Sequence, residues 1–295
     1  MEKKEFPPVR LCLFDMDGLL INSEDIYSLV VNKILQEYGK PNLPWSIKAL
    51  LQGRPAPQSY KMFQDWAQLP ISSTEFIERQ LALQTLHFPT SQPLPGVLDL
   101  LQNLSQAMTT GSTSSLPVHM ALATSSMKKN FLLKTSHLPE LFSRFTPSRT
   151  IVGDDPRLTA GRGKPLPDIY LLALDIINKE IAEQGEPPIL PEECLVFEDS
   201  VPGVEAGRRA GMRVVWVPHE GLYAEFKDQA EEVLAGSTGQ HKEDNVADFK
   251  ADLLDDVQPA TALNSGKPGE LNDGWGQLLF TLENFPYEKY GIKIL

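Results

Sequence analysis

Five short apolar runs, at residues 9–14, 118–123, 150–152, 194–197 and 214–217, carry β-branched or aromatic side chains, and each ends at a polar cluster. Runs this short and this apolar describe strands buried on both faces, as in a parallel sheet covered by helices. Helical patterns separate them, notably at 167–184 and 202–210, each with proline in its first turn and glycine at or just past its end. Strand and helix therefore alternate, and the expected fold is α/β, a doubly wound parallel sheet with a Rossmann-like core.

Roughly a hundred residues between the first two runs have a different texture, amphipathic and helical with no strand pattern. In the opening helix Ser23 can cap, Glu24 and Asp25 suit the positive end, and Ile26, Leu29, Val30 and Ile34 share one face before Gly39 and Pro41 stop it. Further helices are expected at 45–51, 56–67 and 73–86. This segment reads as an α-helical domain, 23–92, inserted into a core made of 1–22 and 93–295. Loops are expected at 109–115, at 154–163 and over the polar stretch 235–274, whereas the C-terminal LLFTLENFPYEKYGIKIL is apolar enough to dock on the core.

Charge narrows the partners. With 27 basic and 39 acidic residues the net charge is -12, and no basic patch relieves it, so no nucleic-acid polymer is expected. No apolar run reaches the roughly 18–20 residues of a spanning helix, and MEKKEFPPVR lacks the apolar stretch of a signal peptide. A cytoplasmic protein with no membrane partner is expected, and a monomer. Cys12 and Cys194 lie inside apolar runs and read as buried thiols. An acidic chain still binds a small phosphorylated metabolite where a metal and a lysine reverse the field locally.

The strand ends carry the chemistry. LCLF runs into DMDG, setting Asp15 and Asp17 with Gly18 at the carboxyl edge of the first strand, where ligands of parallel sheets collect. Such carboxylates can hold Mg2+ while one attacks phosphorus, although acidic turns after strands are common. The second strand delivers Thr124, Ser125 and Ser126, which suit a phosphate or an ordinary cap on the helix that follows. Lys164, in GRGKPLP before a helix, can neutralise both a bound phosphate and the Asp15 carboxylate, or be a surface lysine. The fourth strand ends in Glu198, Asp199 and Ser200, a second acidic pair at the same edge or again a cap. Singly these signals are weak; together they make a phosphoryl-transfer set.

The motifs FDMDG, LATSS, GKP and FEDS resemble those of the haloacid dehalogenase-like hydrolases, over most of the chain. Within that family KTSH, LFSRF, IVGDDP, CLVFEDSVPGVEAG and ENFPYEKYGI are similar to the pseudouridine 5'-phosphatase branch and its fungal members. The resemblance implies a Mg2+-dependent phosphatase acting on a nucleoside or sugar phosphate, with 23–92 as a cap domain. It implies that Asp15 forms an aspartyl phosphate while Asp17 protonates the leaving alcohol and then deprotonates water. Mg2+ would be held by Asp15, the backbone carbonyl of Asp17, Asp199 and Glu198, and phosphate by Thr124, the Ser125 backbone and Lys164.

Asp17 argues against a dehalogenase, which lacks it, and against related ATPases, which carry threonine there. A sugar phosphomutase shares every motif, and a non-catalytic phosphometabolite-binding module would need a motif residue lost; none is. Selectivity is expected on Gly53 and Arg54, since glycine permits close approach and arginine contacts an anion, with a solvated charge as the plainer alternative. Trp45 and Trp66 read as packing within the helical domain.

Overall fold

All four residues of LCLF are buried, and they form β1 (Leu11–Phe14), the strand on which the sheet is built. The computed structural model describes residues 6–52, 56–110, 115–159, 161–238 and 269–295. After β1 come α1 (Ser23–Glu37), α2 (Trp45–Leu51), α3 (Ala56–Ala67), α4 (Ser73–His87), α5 (Val97–Leu104) and the short β2 (Met108–Thr109). Then follow β3 (His119–Ala123), α6 (Lys128–Thr135), α7 (Pro139–Phe142), β4 (Thr150–Ile151), α8 (Asp168–Ala182), β5 (Cys194–Glu198) and α9 (Val201–Arg209). The remainder is β6 (Arg213–Trp216), α10 (Glu220–Phe226), α11 (Ala230–Ala235), β7 (Gly276–Leu278) and β8 (Ile292–Lys293).

Six strands make one parallel sheet in the order β4-β3-β1-β5-β6-β7. All five runs expected as strands lie in it; β7 and the antiparallel pair β2–β8 were not anticipated. From β1 the chain builds outward through β3 and β4 on one side, and through β5, β6 and β7 on the other. The order reverses at β1, the position at whose carboxyl end open parallel sheets bind their ligands.

Period-two alternation divides LCLF between two layers. Leu11 and Leu13 pack with Ile169, Tyr170 and Ile177 of α8 and Val204 of α9. Cys12 and Phe14 face α5 through Val97, Leu100, Leu101 and Leu104. The tail docks on this second layer as expected: Leu282, Phe285, Tyr290 and Ile292 join it, and the Val9 N–H donates to the Tyr290 carbonyl at 2.8 Å. Residues 239–268 of the expected loop 235–274, and 111–114 of TTGSTSS, lie outside the described residues.

The helices between β1 and α5 have an apolar cluster of their own, with Val31, Ile34, Leu35, Phe63 and Phe76 buried and Trp66 packed against them. Trp45 corrects the expectation made for it: its ring stacks on His219 across from α10, centroids 4.6 Å apart, and so bridges to the sheet. Ser23 is likewise not a cap. Asn22 occupies the cap position but its side chain makes no bond to the helix, and Ser23 is the first, buried residue of α1. The two crossings between helical segment and sheet are paired, since the Asn22 N–H donates to the Gln92 carbonyl at 3.0 Å and Asn22 Oδ1 accepts from the Gln92 N–H at 2.8 Å. Among the described residues no helix is long and apolar enough to cross a membrane.

Candidate active site

Register assembles the site. Phe14 pairs with Leu122 on one side and Phe197 on the other, so the next residues, Asp15, Ala123 and Glu198, reach the carboxyl edge of the sheet side by side. Lys164 closes the group. Its ammonium donates to Asp15 Oδ1 at 2.5 Å, Glu198 Oε1 at 2.7 Å and the Ala123 carbonyl at 3.0 Å, which uses all three protons. The lysine sits in the turn before α8 rather than in its first turn. Glu198 is saturated in its turn: Tyr170 Oη donates to Oε1 at 2.6 Å, and the Ser200 N–H and Oγ donate to Oε2 at 3.2 and 3.0 Å. Ser200 also caps α9, accepting from the Gly203 N–H at 3.2 Å. Gly203 must lack a side chain, because a Cβ there would fall 1.9 Å from the Glu198 carboxyl carbon.

Asp199 has no such partners. Its carboxylate makes no hydrogen bond among the described residues, and it is buried, at 3% exposure. Carboxylate oxygens of Asp15, Glu198 and Asp199 lie within 4.8 Å of one another. Three buried carboxylates facing one lysine leave negative charge uncompensated, and an all-oxygen donor set is what a hard divalent cation takes. The residues present therefore fit a Mg2+-sized ion. Gly18 makes the approach possible, with φ +77° and space only for hydrogen beside Asp199. Glu24 of α1 comes up on the same side, held by Lys48 at 2.7 Å.

Asp17 turns its carboxylate to a different network. Oδ1 accepts from Ser23 Oγ at 2.6 Å and Lys134 Nζ at 2.5 Å, and Oδ2 accepts from Ser126 Oγ at 2.7 Å and, more distantly, Thr124 Oγ1 at 3.5 Å. Thr124 Oγ1 in turn accepts the Ser126 N–H at 3.1 Å. Ser125 is exposed between these two buried residues, and its N–H is unengaged among the described residues. Neither Ser125 nor Ser126 caps α6, as the plain reading had it. Met127 holds the cap position, and Asp154 reaches across to accept the Lys128 N–H at 2.7 Å.

The environment drives the aspartates apart. Burial pushes the Asp15 carboxyl up, to about 7, against the pull of Lys164, and the Glu198 and Asp17 charges push the same way. Asp199 is raised well above the carboxylate range by burial, then by Glu198, Glu24 and Asp15. Burial would raise Asp17 too, but the Lys134 charge and the bonds from Lys134, Ser23 and Ser126 outweigh it and hold the carboxyl below its usual value. Lys164 is desolvated yet held above the ordinary lysine range by Asp15 and Glu198.

Of the expected residues, Asp15, Lys164, Glu198 and Asp199 meet at one point, and Asp17, Thr124 and Ser125 border it. Gly53 and Arg54 lie outside the described residues. Sequence reasoning missed Lys134, Tyr170, Ser126 as a partner of Asp17, and the role of Ser23.

The family model for haloacid dehalogenase-like hydrolases matches residues 9–211. A Saccharomyces cerevisiae protein named as a probable pseudouridine-5'-phosphatase is 46% identical over 228 residues, covering 77% of this chain and 90% of that protein. The (DL)-glycerol-3-phosphatase 1, mitochondrial, of Arabidopsis thaliana is 38% identical over 226 residues, 76% of this chain and 68% of that one. In fold the chain resembles a conserved haloacid dehalogenase-like protein from Agrobacterium tumefaciens, with a TM-score of 0.55 at 23% identity over 75% of this chain and 90% of that one.

Proposed function

The chain belongs to the haloacid dehalogenase-like hydrolases and is a phosphatase, and from that premise we propose that it hydrolyses a small phosphate monoester, a nucleoside or sugar phosphate such as pseudouridine 5'-phosphate, through an aspartyl phosphate on Asp15. The observation that carries this reading is the convergence of Asp15, Glu198 and Asp199 on one point beside Lys164. A carboxylate at the end of β1, with a fixed cation on one flank and a site for a second on the other, is an arrangement for attack on a dianion.

In the first half-reaction an Asp15 oxygen bonds to phosphorus as the bond from phosphorus to the alcohol oxygen breaks, and the protonated form of Asp17, a minor one while Lys134, Ser23 and Ser126 favour the carboxylate, gives its proton to that oxygen. In the second, water bonds to phosphorus, the bond to Asp15 breaks, and the water proton returns to Asp17. Lys164, Thr124 and the free Ser125 N–H bind the phosphate oxygens as charge redistributes. Asp15, Asp199 and the backbone carbonyl of Asp17 would hold Mg2+, with Glu198 at its edge. When bound, Mg2+ supplies charge that draws the phosphate dianion to the carboxylate. Glu198, saturated by Tyr170 and Ser200, orients Lys164.

Residues 23–92 act as a cap over this edge of the sheet, and Arg54 contributes to the choice of leaving group. The similarity to a pseudouridine-5'-phosphatase and to a glycerol-3-phosphatase supports an alcohol leaving group without deciding between them. A panel of phosphate monoesters including pseudouridine 5'-phosphate, glycerol phosphate and sugar phosphates, assayed for released phosphate with Mg2+, tests the reading. One ester turned over well above the rest is expected. Isomerisation of a sugar phosphate without release of phosphate would replace hydrolysis by phosphomutase chemistry.

A further inference from the structure

Lys134 closes α6 in the stretch KKNFLLKTSH with its hydropathy inverted: Leu132 is 50% exposed while the lysine is fully buried. An ammonium in that position is strongly unfavourable unless every proton finds an acceptor. Every one does. Nζ donates to Asp17 Oδ1 at 2.5 Å, Ser126 Oγ at 2.7 Å and Tyr27 Oη at 2.9 Å, and it lies 4.7 Å from the ring centroids of both Tyr27 and Phe88. These partners come from three places, namely the loop after β1, the loop after β3 and the helical segment. The backbone of Lys134 is tied as well, since its carbonyl accepts from Ser91 Oγ at 2.9 Å, and the Ser91 carbonyl accepts from His137 Nε2 at 2.8 Å. Ser91 lies on the returning crossing between helical segment and core.

We propose that Lys134 is a positioning residue that sets Asp17 for both proton transfers and links that setting to the helical segment through Tyr27. Lys134 and Ser23 hold Oδ1 of Asp17 at 2.5 and 2.6 Å, whereas Oδ2 has one close donor, the Ser126 hydroxyl at 2.7 Å, with Thr124 only at 3.5 Å, so Oδ2 is the oxygen that carries the proton to the leaving alcohol and receives it from water. Lys134 itself touches no reacting atom. The inference rests on the reading of Asp17 as acid and base, and its test separates the two.

Lys134→Met keeps the volume and removes the charge. It is compared with wild type and with Asp17→Asn on two esters, p-nitrophenyl phosphate and whichever of pseudouridine 5'-phosphate and glycerol phosphate turns over faster. On the alkyl ester Lys134→Met should lower kcat about 100-fold while KM stays within roughly 3-fold, because misplaced proton transfer slows chemistry and leaves binding alone. Nitrophenolate leaves without a proton. On that ester the variant should release about one equivalent of nitrophenol per enzyme in a burst and then turn over about 100-fold below wild type, since water attack still needs Asp17. Equal losses on both esters without a burst, or a raised KM at unchanged kcat, overturn the proposal.

If Asp17→Asn shows neither loss nor burst, the acid-base reading of Asp17 falls first. A burst with Asp17→Asn but not with Lys134→Met leaves that reading standing and removes only the role of Lys134. Should Lys134→Met not fold, Tyr27→Phe removes one acceptor and keeps the ring. It should lower kcat on the alkyl ester about 3- to 10-fold, the worth of one hydrogen bond, and leave the burst rate with p-nitrophenyl phosphate unchanged. An unchanged kcat there overturns the link to the helical segment.

Discussion

A Cβ on Gly18 would stand 2.2 Å from Asp199 Oδ2, so the missing side chain at one position is what lets the carboxylate at the other lie beside Asp15. Gly18→Ala should therefore disturb the cation site more than the fold. The left-handed backbone at φ +77° costs a β-carbon about 1–2 kcal/mol. Displacement of Asp199 should in addition raise the Mg2+ concentration for half-maximal activity by about 10-fold or more. Titration of activity with Mg2+ checks this, and an unchanged half-saturation in a destabilised variant would refute it.

Asp15→Asn should remove turnover, because the amide has the shape of the carboxylate but cannot attack phosphorus. The fold should survive, since burial already disfavours the charge at that position. A residual rate above about a hundredth of wild type would show that another group is the nucleophile.

Stability without metal should fall as pH rises. Asp15 in the folded protein titrates near about 7 against an ordinary 3.8, so between those values the folded chain keeps a proton that the unfolded chain has released. Folding then weakens with each step up in pH through that window. Asp199, raised by burial and by its neighbours, acts in the same direction. Asp17 is depressed, so its contribution is present above the ordinary carboxyl value and is lost only as pH falls below it. Melting curves in EDTA should show Tm declining from about pH 5 to about pH 8, and saturating Mg2+ should flatten the decline, because the cation binds the ionised carboxylates. A flat or rising Tm in EDTA would sink the argument.

Lys164→Met leaves Asp15 and Glu198 buried without their cation. Breaking a buried pair from one side costs about 3–5 kcal/mol, which should appear in full at about pH 8 and shrink at about pH 5.5, where Asp15 holds a proton. Urea melts at the two pH values measure it. Equal losses at both would mean that Lys164 stabilises the fold by packing.

Arg54→Ala should lower kcat/KM for the best substrate by about 10- to 100-fold and change a small generic ester much less. Equal losses on both esters would assign Arg54 to the phosphate or to stability.

The parts of the site legible in sequence are those at the ends of apolar runs. Asp15 and the pair Glu198 and Asp199 each follow a buried strand, and a parallel sheet brings strand ends together whatever else the chain does. Lys164 was legible through its glycine and proline neighbours. Lys134 was not, because the hydropathy of α6 points the wrong way: a reader of KNFLLKT turns Leu132 inward, and only the placement of Asp17 reverses that choice. Tyr170 reads as one more apolar residue of α8, and its hydroxyl gains meaning only opposite Glu198. Trp45 failed for the same reason, since its stacking partner His219 is the residue that caps α10, far along the chain.

The central position of β1 has a consequence for how the chain comes off the ribosome. Leu11 is made well before its neighbour Cys194 in β5, and the carbonyl of Tyr290 that receives Val9 emerges later still. At about 5–20 residues per second the first strand waits on the order of ten seconds or more with one edge unpaired. The helices of 23–92 enclose a cluster made wholly from their own residues, so they can collapse during that wait. A strand made before its partners is thus completed only after them, and the emerging chain depends on chaperones or on rapid late closure to keep the sticky edge of LCLF from other nascent strands.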